Sequence, residues 1–321
     1  MTILAVNNLK KYFPVRSGVF LRRTGWVHAL DGVSFSLNKG ETLGIVGESG
    51  CGKTTLGRCI MGLYDPLEGQ VIVKDQVVSG LDFQDRKRLT LNLQMIFQDP
   101  FESLDPRQTV KEILEEKYYI HGKKKRDLDT HINTLIRQVG LLPDALLKFP
   151  HEFSGGQRQR IGIARAISLN PEIIICDEPV SALDVSVQSK ILNLLMELQQ
   201  RMGLTYVFIS HDLSVVKHVS DRIAVMYMGK IVELADADAI SHKGLHPYTM
   251  ALLSSIPKPD PTFARHRIVL TGEVPSVENP PVGCRFNTRC GQVQNVCREK
   301  EPKLIKNQED PNHLTACHFF H

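Results

Sequence analysis

The chain has 321 residues, 42% hydrophobic and 23% charged, enough for a main domain of about 200–250 residues plus a smaller appendage. A formal charge of +4 is too small to argue for nucleic acid or a membrane surface as partner, and no stretch approaches the apolar run of a spanning helix. The N-terminal MTILAVNNLKKYFPVRS lacks the charged-then-apolar order of a signal peptide, which predicts a cytoplasmic chain with reduced cysteines.

The first stretch that carries chemistry is ETLGIVGESGCGKTTLGRCIMGL. Thr42 to Val46 is predicted as a short buried strand. Gly47-Glu48-Ser49-Gly50-Cys51-Gly52-Lys53-Thr54, with Thr55 next, then fits G-x-x-x-x-G-K-[ST] and leads into a helix-like run. Glycines let successive N–H groups curl around an anion, and the helix N-terminus adds partial positive charge. Lys53 is placed for the β- and γ-phosphates and the Thr54 hydroxyl for Mg²⁺. Cys51 reads as a small residue that the loop tolerates, one that would leave the site sensitive to thiol reagents.

From about 105 to 150 the chain has helical periodicity, and Ile132, Leu135, Ile136 and Val139 form one apolar stripe read as core packing. The basic run KKKR at 123–126 reads as a solvated linker rather than a nucleic-acid contact. In FSGGQRQRIGIARAISLNPEIIICDEP, Ser154 is a predicted N-cap and Gly155 and Gly156 bare the backbone. Ile161, Ala164, Ile167 and Ser168 recur at helical spacing. This is a second anion-binding helix start, made without lysine, and two such starts in one chain imply a composite site.

Ile173 to Cys176 is a continuous apolar run, the mark of a central parallel strand, and it delivers Asp177 and Glu178 to the carboxyl edge of the sheet. Asp177 suits Mg²⁺, and Glu178 is placed to polarise a water. His211 follows the apolar run Tyr206–Ile209, and Ile223 to Glu233, broken by GK, reads as strand, turn and strand. HPYT at 246–249 opens a helix-like stretch, after which PKPDPTF and EVPSVENPPVG mark Pro-rich linkers. Cys284, Cys290, Cys297 and Cys317 close the chain with spacing C-x₅-C-x₆-C-x₁₉-C and no C-x₂-C pair. In a reducing compartment, on a segment of low apolar content, they read as a metal staple. Zinc, with His313, His318 and His321 near enough to serve as ligands, is one candidate, and unligated cysteines are the alternative.

Over residues 1 to about 255 the sequence resembles the ATP-binding subunits of ABC transporters. The matches run in order: Tyr12, Gly47–Thr55, Gln98 in MIFQDP, Ser154–Gln157, Asp177-Glu178, Ser181-Ala182-Leu183-Asp184 and His211 in FISHDLS. The resemblance implies an α/β P-loop NTPase of ABC-ATPase type. It has a mixed or parallel sheet core, a helical subdomain at about 105–165 and a small cysteine-containing C-terminal appendage at 256–321. It implies adenine stacking on Tyr12, with Phe13 beside it as the alternative, and Mg²⁺ held by Thr54, Gln98 and Asp177. Gln98 would also touch the attacking water, Glu178 would be the base, and His211 would contact the γ-phosphate. Ser154, Gly155, Gly156 and Gln157 would cap a partner's γ-phosphate, and the turn Ser181–Asp184 would cross to that partner.

HPYT, the Pro-rich linker and the terminal cysteines resemble the oligopeptide/dipeptide (and nickel) importer branch. FQDPFESLDPR fits as well, except that Asp105 stands where that branch usually has Asn. The resemblance implies an ATP-hydrolysing motor subunit of a di- or oligopeptide importer, peripheral on the cytoplasmic face of the inner membrane. Its partners would be a second, different ATPase, two permease subunits and, indirectly, a solute-binding protein, with no nucleic acid. It also implies a [4Fe–4S] cluster on the four cysteines, structural in role and remote from the ATP. The alternatives are import of nickel or another small solute, a soluble ABC ATPase acting on nucleic acid or ribosomes, and a regulator sensing metal or redox state. The single cassette without sustained heptads argues against the second of these.

Overall fold

A computed structural model describes residues 1–18, 22–122, 128–256 and 268–320; the KKKR run, the PKPDPTF segment and His321 lie outside them. The chain divides into two compact units, one of residue 1, residues 38–41 and 80–209, the other of residues 2–37, 42–79 and 210–321.

In the second of these units the strand Thr42–Val46 is buried at every position, the short buried strand predicted there. It pairs in parallel with Arg222–Tyr227, Leu43 opposite Arg222 and Val46 opposite Val225. Gly44 permits the helix Leu213–Val219 to lie against this strand, since a Cβ there would come 2.1 Å from Val216. Arg222–Tyr227 turns into the antiparallel strand Lys230–Asp236 through Met228 and Gly229, whose φ angles of 44° and 78° suit a tight two-residue hairpin. That is the predicted strand, turn and strand.

The C-terminal extension completes the same sheet. Leu314–Thr315 pairs antiparallel with Lys230–Asp236, and Ile305–Lys306 adds beyond it. The join is fixed by a buried carboxylate: Glu233 accepts from the backbone N–H groups of Leu245 (2.7 Å) and His246 (2.9 Å) and lies 2.6 Å from His313 Nε2. An extension short of apolar side chains is thus anchored by a fully partnered polar centre. A separate four-stranded sheet in this unit runs in the order Arg22–Asn38, Thr2–Ser17, Glu68–Val73, Gln76–Val77.

The other unit holds the parallel strands Leu93–Ile96, Ile173–Asp177 and Thr205–Ser210, with Ile173 opposite both Leu93 and Thr205. Its helices include Val110–Ile120, opened by a capping box between Thr109 and Glu112, then Leu128–Gln138, Gly155–Ile167 and Val185–Met202. Ile132, Leu135, Ile136 and Val139 are at most 2% exposed, so the predicted stripe is core.

Candidate nucleotide site

The phosphate loop leaves the strand Thr42–Val46 and enters the helix Lys53–Ile60. Two glycines carry its curl: Gly50 and Gly52 have φ of 79° and 105°, and a Cβ on Gly52 would meet the Ala29 carbonyl at 2.2 Å. Gly52 caps the helix without a side-chain hydrogen bond, and the first turn holds no acidic residue. The helix start therefore keeps its positive end for an anion. Lys53 is buried, and its Nζ donates to the carbonyls of Gly47 (2.7 Å) and Glu48 (3.0 Å), which centres its charge in the loop. Cys51 is 5% exposed, and burial pushes its thiol up, so the expected sensitivity to thiol reagents gives way to an inert buried sulfur.

Tyr12 belongs to the same unit. Its ring centroid lies 4.2 Å from that of His28, and its hydroxyl donates to Asp31 at 2.7 Å. Asp31 also pairs with Lys230 and with Arg285 of the extension. Burial alone would raise the Asp31 carboxyl, but Tyr12, Lys230 and Arg285 outweigh it and hold it at about 2. Phe13 lies edge-on to Tyr64. His211 is exposed just past the strand Thr205–Ser210, where Asp212 caps the next helix by accepting from Ser214 N–H at 2.8 Å.

In the other unit, Asp177 ends its strand at 3% exposure and Glu178 follows with φ of 46°. A glutamate in the left-handed region is strained, and its N–H is pinned to the Ile209 carbonyl at 2.9 Å. Gln98 Nε2 donates to Glu178 Oε2 at 3.3 Å, so these two predicted residues meet. The turn at 181–184 hangs from the same residue, because Ser181 Oγ donates to the Glu178 carbonyl at 3.1 Å.

Ser154 caps Gly155–Ile167 as predicted, with Gln157 completing a capping box. Gly156 is required by proximity, since a Cβ there would come 2.5 Å from Val187 Cγ1. The segment after Gln98 is gripped by this helix: Arg158 lies 3.5 Å from the Phe101 ring centre, and Arg165 donates to the Ser103 carbonyl. Asp105 spends its carboxylate on Arg107, which draws its pKa down to about 2.

The extension is not remote from the phosphate loop. Arg289, beside Cys290, forms an ion pair with Glu48 at 2.7 Å, and the Tyr248 hydroxyl of HPYT accepts from Glu48 N–H at 2.9 Å. Sequence reasoning quoted HPYT without a role for its tyrosine, and nothing local marks Arg289 as a partner for the loop. The four terminal cysteines, none in a disulfide, line one cavity together with His246, Phe286 and His318. Burial pushes the Cys284 thiol up to about 11. Among the described residues no three His, Cys, Asp or Glu side chains are grouped as a single metal ion would require.

Residues 30–181 match the family described as ABC transporter, and residues 232–297 match that described as oligopeptide/dipeptide transporter, C-terminal region. The chain is 54% identical to the oligopeptide transport ATP-binding protein AppF of Bacillus subtilis, over 99% of this chain and 98% of that protein. It is 47% identical to the oligopeptide transport ATP-binding protein OppF of Salmonella typhimurium (94% and 92% covered), and 46% identical to the dipeptide transport ATP-binding protein DppF of Haemophilus influenzae (98% and 96%). Among solved structures it is similar to the ATP-binding cassette MJ0796, a dimer in a post-hydrolysis state bound to ADP and Pi. That match has 28% identity and a TM-score of 0.64, covering 73% of this chain and 99% of that one.

Proposed function

Because the chain belongs to the ATP-binding subunits of ABC transporters and carries the C-terminal region of the oligopeptide/dipeptide branch, we propose that it powers import of di- or oligopeptides by hydrolysing ATP. The observation that carries this reading is near-complete alignment, at 54% identity, with an oligopeptide transport ATP-binding protein. Loss of the gene should abolish uptake of labelled di- and oligopeptides. The wild-type chain should restore it and Glu178→Gln should not; a deletion that leaves peptide uptake intact but stops nickel uptake would move the cargo to the metal.

The roles follow the two units. Gly47 to Thr55 bind the phosphates, Lys53 countering the β- and γ-charges, and Tyr12 stacks on adenine. Thr54, Gln98 and Asp177 would hold magnesium, which would supply neutralising charge on the phosphate oxygens. Glu178 orients and deprotonates the water, steadied by Gln98, with His211 on the γ-phosphate. Ser154 to Gln157 and Ser181 to Asp184 serve a second ATPase across a dimer. Among the described residues no helix is long and apolar enough to cross a membrane. Permease subunits, reached through the segment after Gln98, carry the cargo in this reading. In this reading the chain sits on the cytoplasmic face of the membrane, with a second ATPase of different sequence and a solute-binding protein completing the importer.

Cys284, Cys290, Cys297 and Cys317 hold a [4Fe–4S] cluster in this reading. Its support is the donor set: four unpaired thiols lining one cavity fit a Cys₄ cluster. Zinc is the other candidate, and it would need the thiolates drawn around one ion. Brown protein absorbing near 400 nm after anaerobic purification is the expected result; colourless protein with stoichiometric zinc would overturn it.

A further inference from the structure

Three polar groups of one phosphate-loop residue are held at once. The Glu48 carbonyl accepts from Lys53 Nζ, its N–H donates to the Tyr248 hydroxyl, and its carboxylate receives both ends of the Arg289 fork at 2.7 and 3.2 Å. The Arg289 side chain is 8% exposed and that of Glu48 27%, so the guanidinium is buried and the carboxylate partly shielded. The residues that hold Glu48 are packed into the cysteine segment. Phe286, which lies between Cys284 and Cys290 and lines their cavity, sits 5.2 Å from the Tyr227 ring and 5.5 Å from the Tyr248 ring. Arg289 also reaches the Tyr227 hydroxyl at 3.5 Å.

We propose that Arg289 is a positioning residue for the phosphate loop, through which the cysteine-bearing segment sets the affinity for MgATP. Two physical effects act in the same direction. A bidentate guanidinium fixes the carboxylate, and with it the backbone, before the ligand arrives, so less order is lost on binding. It also neutralises Glu48, whose unpaired carboxylate would stand five residues before Lys53 in the loop that receives the phosphates. A pair that merely stapled the extension in place would change stability and leave nucleotide affinity alone. Coupling is reciprocal, so bound nucleotide must in turn steady the cysteine segment.

The inference rests on the phosphate loop being the ATP site, and Lys53→Ala in the full-length chain tests that premise separately by losing MgATP binding. Arg289→Lys keeps the charge but loses the fork. It should weaken the MgATP Kd about tenfold, raise the ATPase KM in proportion and leave kcat within about twofold. Arg289→Ala should weaken binding further. In the wild-type chain MgATP should slow hydrogen exchange over residues 284–290, and in Arg289→Lys this protection should be lost. An unchanged Kd and KM in Arg289→Lys, whatever its Tm, would overturn the proposal. If Arg289→Ala does not fold, the lysine variant and the wild-type exchange measurement decide it, and exchange over 284–290 that ignores MgATP also refutes it. Normal MgATP binding by Lys53→Ala would instead sink the site reading, and the proposal with it.

Discussion

At Glu178 the structure predicts that glycine is more stable than alanine, the reverse of the usual order. The residue has φ of 46°, a region in which a Cβ costs about 1–2 kcal/mol. Glycine escapes that strain but loses about 0.5–1 kcal/mol more backbone entropy on folding than alanine does. The difference leaves Glu178→Gly ahead of Glu178→Ala by up to about 1.5 kcal/mol, about 0.75 at the midpoints. Both variants lose the carboxylate that Gln98 contacts, so that term cancels between them. Urea unfolding of the two proteins, side by side, reads the difference as a shift in midpoint at constant slope. Asn193, exposed within the helix Val185–Met202, is the control, because there alanine should beat glycine by about 1 kcal/mol. Neither Glu178 variant should hydrolyse ATP at a useful rate. If Glu178→Ala is as stable as Glu178→Gly or more so, the left-handed backbone at this residue is not a source of strain.

Glu178→Gln should retain MgATP binding, lower the hydrolysis rate by about 10²–10⁴ and accumulate a nucleotide-bound dimer in size-exclusion chromatography; near-normal turnover would mean that the base lies elsewhere. Phe286, 1% exposed and in ring contact with Tyr227, Tyr248 and His246, should cost about 3–5 kcal/mol when cut to alanine and less when replaced by leucine. A loss below about 1 kcal/mol in urea unfolding would show that the site refills without strain. Burial, reinforced by the charge of Arg165, pushes the Lys117 ammonium down to about 7 from its usual 10.5. The unfolded chain therefore binds more protons between these values, and stability should rise with pH across that window. Wild type should gain on Lys117→Met as pH goes from 7 to 10, and parallel stability curves would contradict the assignment.

What the sequence determined by itself is what local pattern can encode. Glycines at 50 and 52 mark positive φ, Ser154 and Gln157 mark a capped helix start, and the short TLGIV segment at 42–46 and the unbroken apolar run at 173–176 mark buried strands. Each signal lies within a few residues of its consequence, so the phosphate loop and the acidic strand end were legible before any coordinates. The contacts that join the cysteine segment to that loop carry no such signal. Arg289 and Glu48 are 241 residues apart, Tyr248 and Glu48 are 200 apart, and Arg285 and Asp31 are 254 apart. One arginine and one glutamate so separated show no periodicity, spacing or turn chemistry; only the folded sheet, with the extension added at its edge, decides that they meet. The same holds for the buried Cys51 thiol and for the left-handed backbone at Glu178, which depend on neighbours supplied by other segments. An appendage that composition could describe only as a metal staple was placed against the phosphate loop by tertiary structure.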